Sequence, residues 1–295
     1  MRCHLILLGL ILFGLAGCGG GVTIDEPAEH RILFLGNSFT ANNELDQLVS
    51  KLLSRADDEW GDHFTMRYAK GGYTLQDHSQ DIDIEDNQAL SRRALVAGND
   101  TVRDWDLVVL QEQSQILGFA YGNGEKVLSL DSASRINLAI NETDATAMIM
   151  MTWGYAFGDD LNPSVYPDYL TMQRQLVLGT KDLENRLSTM GRRVYMIPAG
   201  WGFELVYRDV EAIGLDPLAE GSRFRALYAS DHKHPSLAGS YLVACVITAV
   251  YTGQPVSDIN WRPRGVDADF AQYLRDVADR VVFGDEFPDI DYPWE

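Results

Sequence analysis

The sequence predicts a three-layer α/β/α fold with a mostly parallel β-sheet. Short apolar runs alternate with longer stretches at helical spacing, which is typical of a parallel sheet covered by helices. Hydrophobic residues make up 46% and aromatic residues 10% of the 295-residue chain, a globular composition. No internal repeat and no Pro/Gly/Ser-rich linker follows residue 30, so we expect one domain over residues 30–295.

The lengths of the apolar and periodic stretches define the predicted elements. Buried strands are expected at residues 31–35, 64–69, 106–110, 147–153 and 194–198. Helices are expected at residues 43–56, 166–190 and 236–251, with Gly253 as the C-cap of the last one. Because ligand sites of such folds lie beyond the carboxyl ends of the strands, polar residues after the apolar runs are the candidates for chemistry.

The N-terminal stretch has the pattern of an export signal. Arg2 precedes an uncharged apolar run over residues 5–16, which is too short for a bilayer-spanning helix. Leu15-Ala16-Gly17-Cys18 then resembles a bacterial lipobox. We therefore expect residues 1–17 to be a lipoprotein signal peptide, cleaved before a lipidated Cys18. A plain secretory signal and a retained anchor are the alternatives.

Charge and cysteine content restrict the class of protein further. The chain has 24 Lys and Arg against 43 Asp and Glu, a net charge of −19, so it would repel the phosphate backbones of nucleic acids. After cleavage, residues 18–29 would tether the domain to a membrane through the lipid on Cys18. Cys245 would then be the only unmodified thiol, which excludes an intrachain disulfide. We expect an exported lipoprotein of the bacterial cell envelope, on the periplasmic or surface face of a membrane.

The first candidate motif, Gly36-Asn37-Ser38-Phe39-Thr40, directly follows the first predicted strand. This position places the Ser38 hydroxyl near backbone N–H groups, which would stabilise the negative charge that forms when a serine attacks an acyl group. Thr40 stands where a nucleophile elbow would have its second glycine. Ser38 could equally cap the following helix, so this motif alone leaves both roles open.

The second motif, Asp231-His232-Lys233-His234-Pro235-Ser236, precedes the last predicted helix. A serine nucleophile needs a base, and the base needs a carboxylate that orients it, so Asp231 and His234 suit these two roles. An isolated His-x-His is weak evidence for zinc, and the acidic stretch 81–86 lacks the spacing of a calcium loop. The sequence therefore predicts no metal and no cofactor, and Ser236 is expected to cap the helix.

Together these two motifs resemble the first and last blocks of the SGNH (GDSL-like) hydrolases. The resemblance extends from residue 30 to about residue 255. It implies a flavodoxin-like α/β/α sandwich and a serine hydrolase activity. By position, it implies Ser38 as the nucleophile, His234 as the general base and Asp231 as the residue that orients the base.

The middle blocks of the family match this chain less well. The resemblance implies that a glycine N–H after the second strand joins the Ser38 N–H in the oxyanion hole. Gly72 is the first choice for this glycine and Gly71 the second. The family's third block carries an Asn amide, whereas this chain has the segment Gln111-Glu112-Gln113. A Gln amide can donate the same hydrogen bond, and we predict Gln111 as the donor because it lies closest to the strand end.

Aromatic and amide side chains near the predicted site are candidates for substrate contacts. Trp153 follows the fourth predicted strand and Trp201 follows the fifth, and flat indole faces suit the C–H face of a sugar ring. Packing in the core is the alternative for both indoles. Asn37 and Gln113 are the remaining candidate contacts.

The sequence thus predicts an SGNH-type serine esterase that hydrolyses short-acyl esters, acetyl in particular, of carbohydrate. The alternative is a non-catalytic glycan-binding surface lipoprotein on the same scaffold, which the altered third block favours. The joint presence of Ser38, Asp231 and His234 favours the esterase, because a binding protein does not need them as a set. A nucleotide-binding protein is set aside, since the first motif is neither a P-loop nor a dinucleotide fingerprint.

Overall fold

The computed structural model describes residues 28–83, 105–287 and 290–294. The predicted signal peptide, Cys18 and most of the tether lie outside these residues, as does the second half of the acidic stretch 81–86. Within the described part of the chain, no helix combines the length and the hydropathy needed to cross a membrane.

A sheet of parallel strands forms the centre of the domain. The strands are β1 (His30–Gly36), β2 (His63–Ala69), β3 (Leu107–Leu110), β4 (Thr146–Met150) and β5 (Tyr195–Ile197). Their order is β2-β1-β3-β4-β5, and every neighbouring pair is parallel. This is the strand order of the flavodoxin-like fold, so the predicted α/β class is confirmed.

Helices connect the strands and cover the sheet. They are α1 (Ser38–Ala41), α2 (Leu45–Leu53), α3 (Leu75–Asp83), α4 (Gly124–Asn141), α5 (Tyr169–Ser188), α6 (Ala199–Ala212), α7 (Leu237–Thr252) and α8 (Ala268–Phe283). Helix α7 ends at Gly253, which has a φ of 65° and is the predicted C-cap. It is apolar on all sides, as expected of a helix enclosed by others, and it carries the buried Cys245.

Two apolar clusters on opposite faces of the sheet form the core. Successive strand residues point to opposite faces, so Ile32 and Phe34 pack on one side and Leu33 and Leu35 on the other. The first cluster contains buried residues of α2, α6, α7 and α8, and the second contains those of α3 and α4. The sheet is therefore covered on both faces, which explains why its central strands are uniformly apolar.

The predicted helix over residues 43–56 begins later than expected. Asn43 and Glu44 have φ values of 57° and 54°, which separate α1 from α2. The Asn43 side chain donates hydrogen bonds to the Pro235 carbonyl and to the Ser240 hydroxyl at 3.2 and 2.9 Å. This long-range anchor explains a left-handed turn that helical spacing alone could not predict, and it links the region after Ser38 to the start of α7.

The segment after β5 forms a helix that was not predicted. Gly200 and Gly202 both lie in the first turn of this helix, α6. Gly200 is needed for close packing, since a Cβ atom there would lie 2.2 Å from the Thr152 carbonyl oxygen. The glycine therefore marks a close helix contact, and Trp201 lies on a helix.

Candidate active site

The candidate site lies at the carboxyl edge of the sheet, where α1 follows β1. Asn37 caps α1, because its side-chain oxygen accepts the Phe39 N–H at 3.0 Å. Ser38 is therefore the first residue of the helix rather than its cap, and its side chain is half-buried. The cap role that the sequence left open for Ser38 belongs to Asn37.

The hydroxyl of Ser38 meets the turn that precedes α7. Ser38 Oγ lies 2.8 Å from His234 Nε2, and His234 Nδ1 is hydrogen-bonded to Asp231 Oδ2. The structure thus brings the three residues of the two terminal motifs into one hydrogen-bonded chain. With the carboxylate on Nδ1, Nε2 is the ring nitrogen left to accept the Ser38 hydroxyl proton.

The Asp231–His234 turn is held in shape by its own backbone. Asp231 Oδ1 accepts the N–H groups of Lys233 and His234 at 3.1 and 3.0 Å. Burial alone would raise the pKa of Asp231, but hydrogen bonds from the His234 ring and from these N–H groups hold this pKa below its usual value. Asp231 is therefore ionised at neutral pH, as a carboxylate that orients and stabilises a charged imidazole must be.

A buried stack of three aromatic rings supports the hydrogen-bonded residues Ser38 and His234. Phe39 stacks on Trp153 with ring centroids 4.7 Å apart, and Trp153 stacks on Phe203 at 4.4 Å. Trp153 Nε1 also donates to the Lys233 carbonyl at 3.2 Å, and Phe39 contacts the His234 ring edge-to-face. Trp153 is fully buried, so the prediction that it contacts substrate is wrong. Its position instead links the residue after Ser38 to the residue before His234.

Two other predicted substrate contacts are also wrong. The Asn37 side chain is buried, and its amide group donates to the Tyr73 carbonyl at 2.9 Å while its oxygen caps α1. Trp201 is 6% exposed and stacks on Phe287 at 4.5 Å. It borders a groove between α5 and α6 that contains none of the residues of the hydrogen-bonded chain. Both side chains are therefore occupied by packing or by backbone hydrogen bonds.

The loop after β2 lies beside Ser38, as the oxyanion prediction requires. The Asn37 amide holds the Tyr73 carbonyl, and a Tyr73 N–H bond to the Lys70 carbonyl closes the turn that contains Gly71 and Gly72. Gly72 is exposed and has a φ of 74°, a conformation that favours glycine. The role of the Gly72 N–H in an oxyanion hole stays a prediction, with Gly71 as the second choice.

Gln111 does not occupy the position of an oxyanion donor. Its side-chain oxygen accepts the Asn37 N–H at 3.0 Å and the Thr40 hydroxyl at 2.9 Å, and its amide nitrogen donates to the Glu112 carbonyl. The whole residue has no exposed surface. The sequence prediction for Gln111 is therefore wrong, because this side chain supports the backbone around Ser38 from beneath.

Gln113 is half-buried, and its amide nitrogen donates to the Gln115 side chain at 3.1 Å. It is the residue of the third block that keeps part of its side chain open to solvent. A contact between Gln113 and substrate stays a prediction.

Two buried titratable residues near the site were not predicted. The Glu112 carboxylate accepts the Leu75 N–H at 3.0 Å, the Gln113 N–H and the Ser129 hydroxyl, and its burial raises its pKa to about 7. His78 Nε2 donates to the Gly36 carbonyl at 2.9 Å, and burial lowers the pKa of this ring. The sequence offered one signal for Glu112, an acidic residue two positions after the end of a fully apolar strand.

Solved structures resemble this chain, although no protein-family profile and no curated protein matches it. A DUF4886 family protein from Bacteroides uniformis gives a TM-score of 0.62 at 18% identity and covers 87% of this chain and 96% of its own. A protein from Slackia heliotrinireducens described as an SGNH hydrolase gives 0.54 at 24% identity, over 74% of this chain and 97% of its own. A catalytic variant of Axe2, an acetylxylan esterase from Geobacillus stearothermophilus, gives 0.51 at 17% identity, over 81% and 100%. The chain therefore has an SGNH hydrolase-like fold.

Proposed function

We propose that this protein is a serine esterase that removes short acyl groups, acetyl in particular, from carbohydrate. The observation that carries the proposal is the hydrogen-bonded chain from Ser38 Oγ through the His234 ring to Asp231. The fold alone would not suffice, because one fold hosts many activities. The side chains supply the nucleophile, base and orienting carboxylate that acyl transfer needs.

The geometry supports a two-step reaction. Ser38 Oγ attacks the ester carbonyl carbon while His234 Nε2 takes its proton, and Asp231 stabilises the resulting imidazolium. The oxyanion receives hydrogen bonds from the N–H groups of Ser38 and Gly72. His234 then returns the proton to the leaving alcohol, which yields an acyl-serine. In the second step, water activated by His234 attacks the acyl-serine and releases the carboxylic acid and the free serine.

The openness of the site supports an ester of a bulky alcohol. The side chains of His234 and Asp231 are 32% and 46% exposed, so the base is accessible from solvent. A substituent on a large sugar chain can reach such a base without entering a tunnel. The structural likeness to an acetylxylan esterase is consistent with an acetylated carbohydrate as substrate.

We also propose that the enzyme acts at the cell envelope, attached through a lipid on Cys18. The lipobox-like segment before Cys18 supports this. In bacterial expression, the wild-type chain should partition with membranes and carry an acyl-modified N-terminal cysteine by mass spectrometry. A Cys18→Ser chain should lose the modification, and an unmodified wild-type chain in the soluble fraction would contradict the proposal.

The test of the esterase is hydrolysis of p-nitrophenyl acetate by residues 19–295. Ser38→Ala should lower kcat/KM by roughly 10³-fold or more, because it removes the nucleophile. Ser54→Ala, at an exposed serine beyond α2, is the matched control and should retain the wild-type rate. Circular dichroism checks that each variant is folded. Equal rates in the wild type and Ser38→Ala would contradict the esterase and favour the glycan-binding alternative.

A further inference from the structure

Three side chains meet directly beside the Asp231–His234 turn and take no part in the proposed reaction. The Arg225 guanidinium lies over the Phe157 ring at 4.8 Å, and the His232 ring contacts Phe157 edge-to-face at 5.1 Å. Arg225 Nη2 is 3.4 Å from His232 Nδ1. Phe157 is 46% exposed, so this group of residues, the Arg225 cluster, is open to solvent.

The Arg225 guanidinium is held in place by groups that are not acidic. Its Nη1 donates to the Leu218 carbonyl at 2.9 Å, which together with Phe157 holds the guanidinium in place. Among the residues that the structure describes, no carboxylate pairs with it, and its buried Nε has no acceptor. Lys233 nearby differs, since its ammonium lies 3.7 Å from the buried Asp159 carboxylate.

The backbone at His232 is strained in a way that keeps the cluster next to the site. His232 has a φ of 62°, a left-handed conformation that is unfavourable for a residue with a Cβ atom. The fold maintains it through the bonds of Asp231 Oδ1 to the turn and through the Ala156 N–H, which donates to the His232 carbonyl at 2.9 Å. Strain of this kind is commonly retained at functional sites.

The chemistry of the ester places the leaving sugar at His234, two positions along the turn from His232 of the cluster. The oxyanion must lie at the Ser38 and Gly72 N–H groups, whereas the leaving alcohol must lie within hydrogen-bond reach of His234 Nε2. The Cα atoms of His232 and His234 can be at most about 7 Å apart, since only Lys233 separates them. An oligosaccharide whose hydroxyl occupies His234 can therefore extend over the turn to the Arg225 cluster.

We infer that the Arg225 cluster is a subsite for a carboxylate on the carbohydrate, so that the preferred substrates are acylated sugars that contain uronic acids. The Arg225 guanidinium donates to the carboxylate, and the exposed part of the Phe157 ring packs against the sugar. This inference rests on the proposed function for its link to turnover. Its binding component can be measured without turnover.

Kinetics on a matched substrate pair test the link to turnover. The pair is O-acetylated trisaccharides of glucose and of glucuronate, which differ only in their C6 carboxylates. The wild type should prefer the glucuronate substrate. Arg225→Gln should lower this preference, measured as the ratio of the two kcat/KM values, by roughly 10- to 100-fold, the effect of one charge-assisted hydrogen bond. Arg225→Lys should recover part of it, because the charge is kept but the planar fork is lost.

Arg223→Gln is the matched control, because Arg223 is an exposed arginine two residues away whose guanidinium lies over Tyr273. It carries the same change in net charge and should keep both the rate on p-nitrophenyl acetate and the substrate preference. A preference that Arg225→Gln leaves unchanged, or that Arg223→Gln lowers equally, would overturn the inference.

Binding separates failure of the subsite from failure of the esterase. Calorimetry should detect binding of the unacetylated glucuronate trisaccharide to the Ser38→Ala protein. Adding Arg225→Gln to this protein should weaken the binding by roughly 10- to 100-fold. The glucose trisaccharide should bind equally to Ser38→Ala and to the double variant. If binding depends on Arg225 but the wild type has no esterase activity, the subsite is supported and the proposed esterase function is contradicted. Equal binding of the two trisaccharides to the Ser38→Ala protein would overturn the subsite whether or not the protein is an esterase.

Discussion

Two polar segments border Ser38, the turn 231–234 and the segment 111–113, and their side chains are used in opposite ways. In the turn, Asp231 and His234 bond to each other and stay open to solvent. In the segment, the side chains of Gln111 and Glu112 are buried and bond mainly to backbone groups. Both segments follow the sequence rule that polar residues at the carboxyl edge of a parallel sheet are site candidates.

The difference shows that residue type and position are not sufficient to identify a reacting group. A side chain can act on a substrate only if the substrate can reach it. Gln111 has no exposed surface and bonds to groups beneath Ser38, whereas the His234 side chain is open to solvent and its Nε2 lies at Ser38 Oγ. The turn is therefore expected to control the reaction and the segment to control the stability of the site.

The largest expected effect is in the turn. Asp231→Asn should lower kcat on p-nitrophenyl acetate by roughly 10²- to 10⁴-fold, because an amide neither stabilises the imidazolium nor fixes the tautomer that accepts the Ser38 proton. The melting temperature should change little, since Asp231 is exposed. Asp144→Asn, at a fully exposed aspartate, is the control. Full activity of Asp231→Asn would contradict the assignment of this turn to catalysis.

The next effect separates the two roles considered for Gln111. Gln111→Ala should lower the free energy of unfolding by roughly 3 kcal/mol, because the buried Asn37 N–H and Thr40 hydroxyl lose their acceptor. Gln113→Ala, its half-exposed neighbour in the segment, should change it by less than about 0.5 kcal/mol. Urea denaturation measures both. A Gln111→Ala protein with wild-type stability and a kcat lowered by roughly 10²-fold would restore the oxyanion role to Gln111.

The third expected effect, similar in size to that of Gln111→Ala, is a pH dependence that belongs to the segment alone. The pKa of Glu112 is raised to about 7 by burial, above its ordinary value of 4.5. Its contribution to stability is therefore fully present below pH 4.5 and is lost as the pH rises through about 7, on the order of 3 kcal/mol if fully expressed. Glu112→Gln mimics the protonated carboxyl and should lack this loss.

Urea denaturation between pH 5 and pH 8 measures the difference between the wild type and Glu112→Gln. This difference should grow in favour of the variant as the pH rises. Glu125→Gln, at an exposed glutamate of α4, should follow the wild type at each pH. A difference that does not depend on pH would show that Glu112 does not titrate in this range.

The fold was largely predictable from the sequence because its central strands are buried on both faces. Each of the five apolar runs contains a strand of the sheet, although the run 147–153 continues past the end of β4 at Met150. The alternation of apolar runs with stretches at helical spacing also predicted the α/β class. Helices α1, α3, α4, α6 and α8 were not predicted. In α4 the periodicity is weak, because the helix has many small or polar residues.

The site was predictable where its residues lie close together in the sequence or directly follow a predicted strand. Asp231 and His234 lie in one turn, so their spacing sufficed, and Ser38 follows directly from the end of β1. The positions of Trp153 and Gln111 depend on contacts with residues far away in sequence, such as Lys233 and Asn37. Local pattern contains no information on such contacts, so it could not tell a buried support from a substrate contact.

The most direct test of the account is covalent labelling of Ser38 by a fluorophosphonate probe. The serine oxygen attacks phosphorus and expels fluoride, so only a serine activated by a base reacts rapidly. Mass spectrometry should find one adduct per chain on the peptide that contains Ser38, and a folded His234→Gln protein should lose it. Absence of labelling under conditions that label a known serine hydrolase, or an adduct on another residue, would contradict the claim that Ser38 is the activated nucleophile.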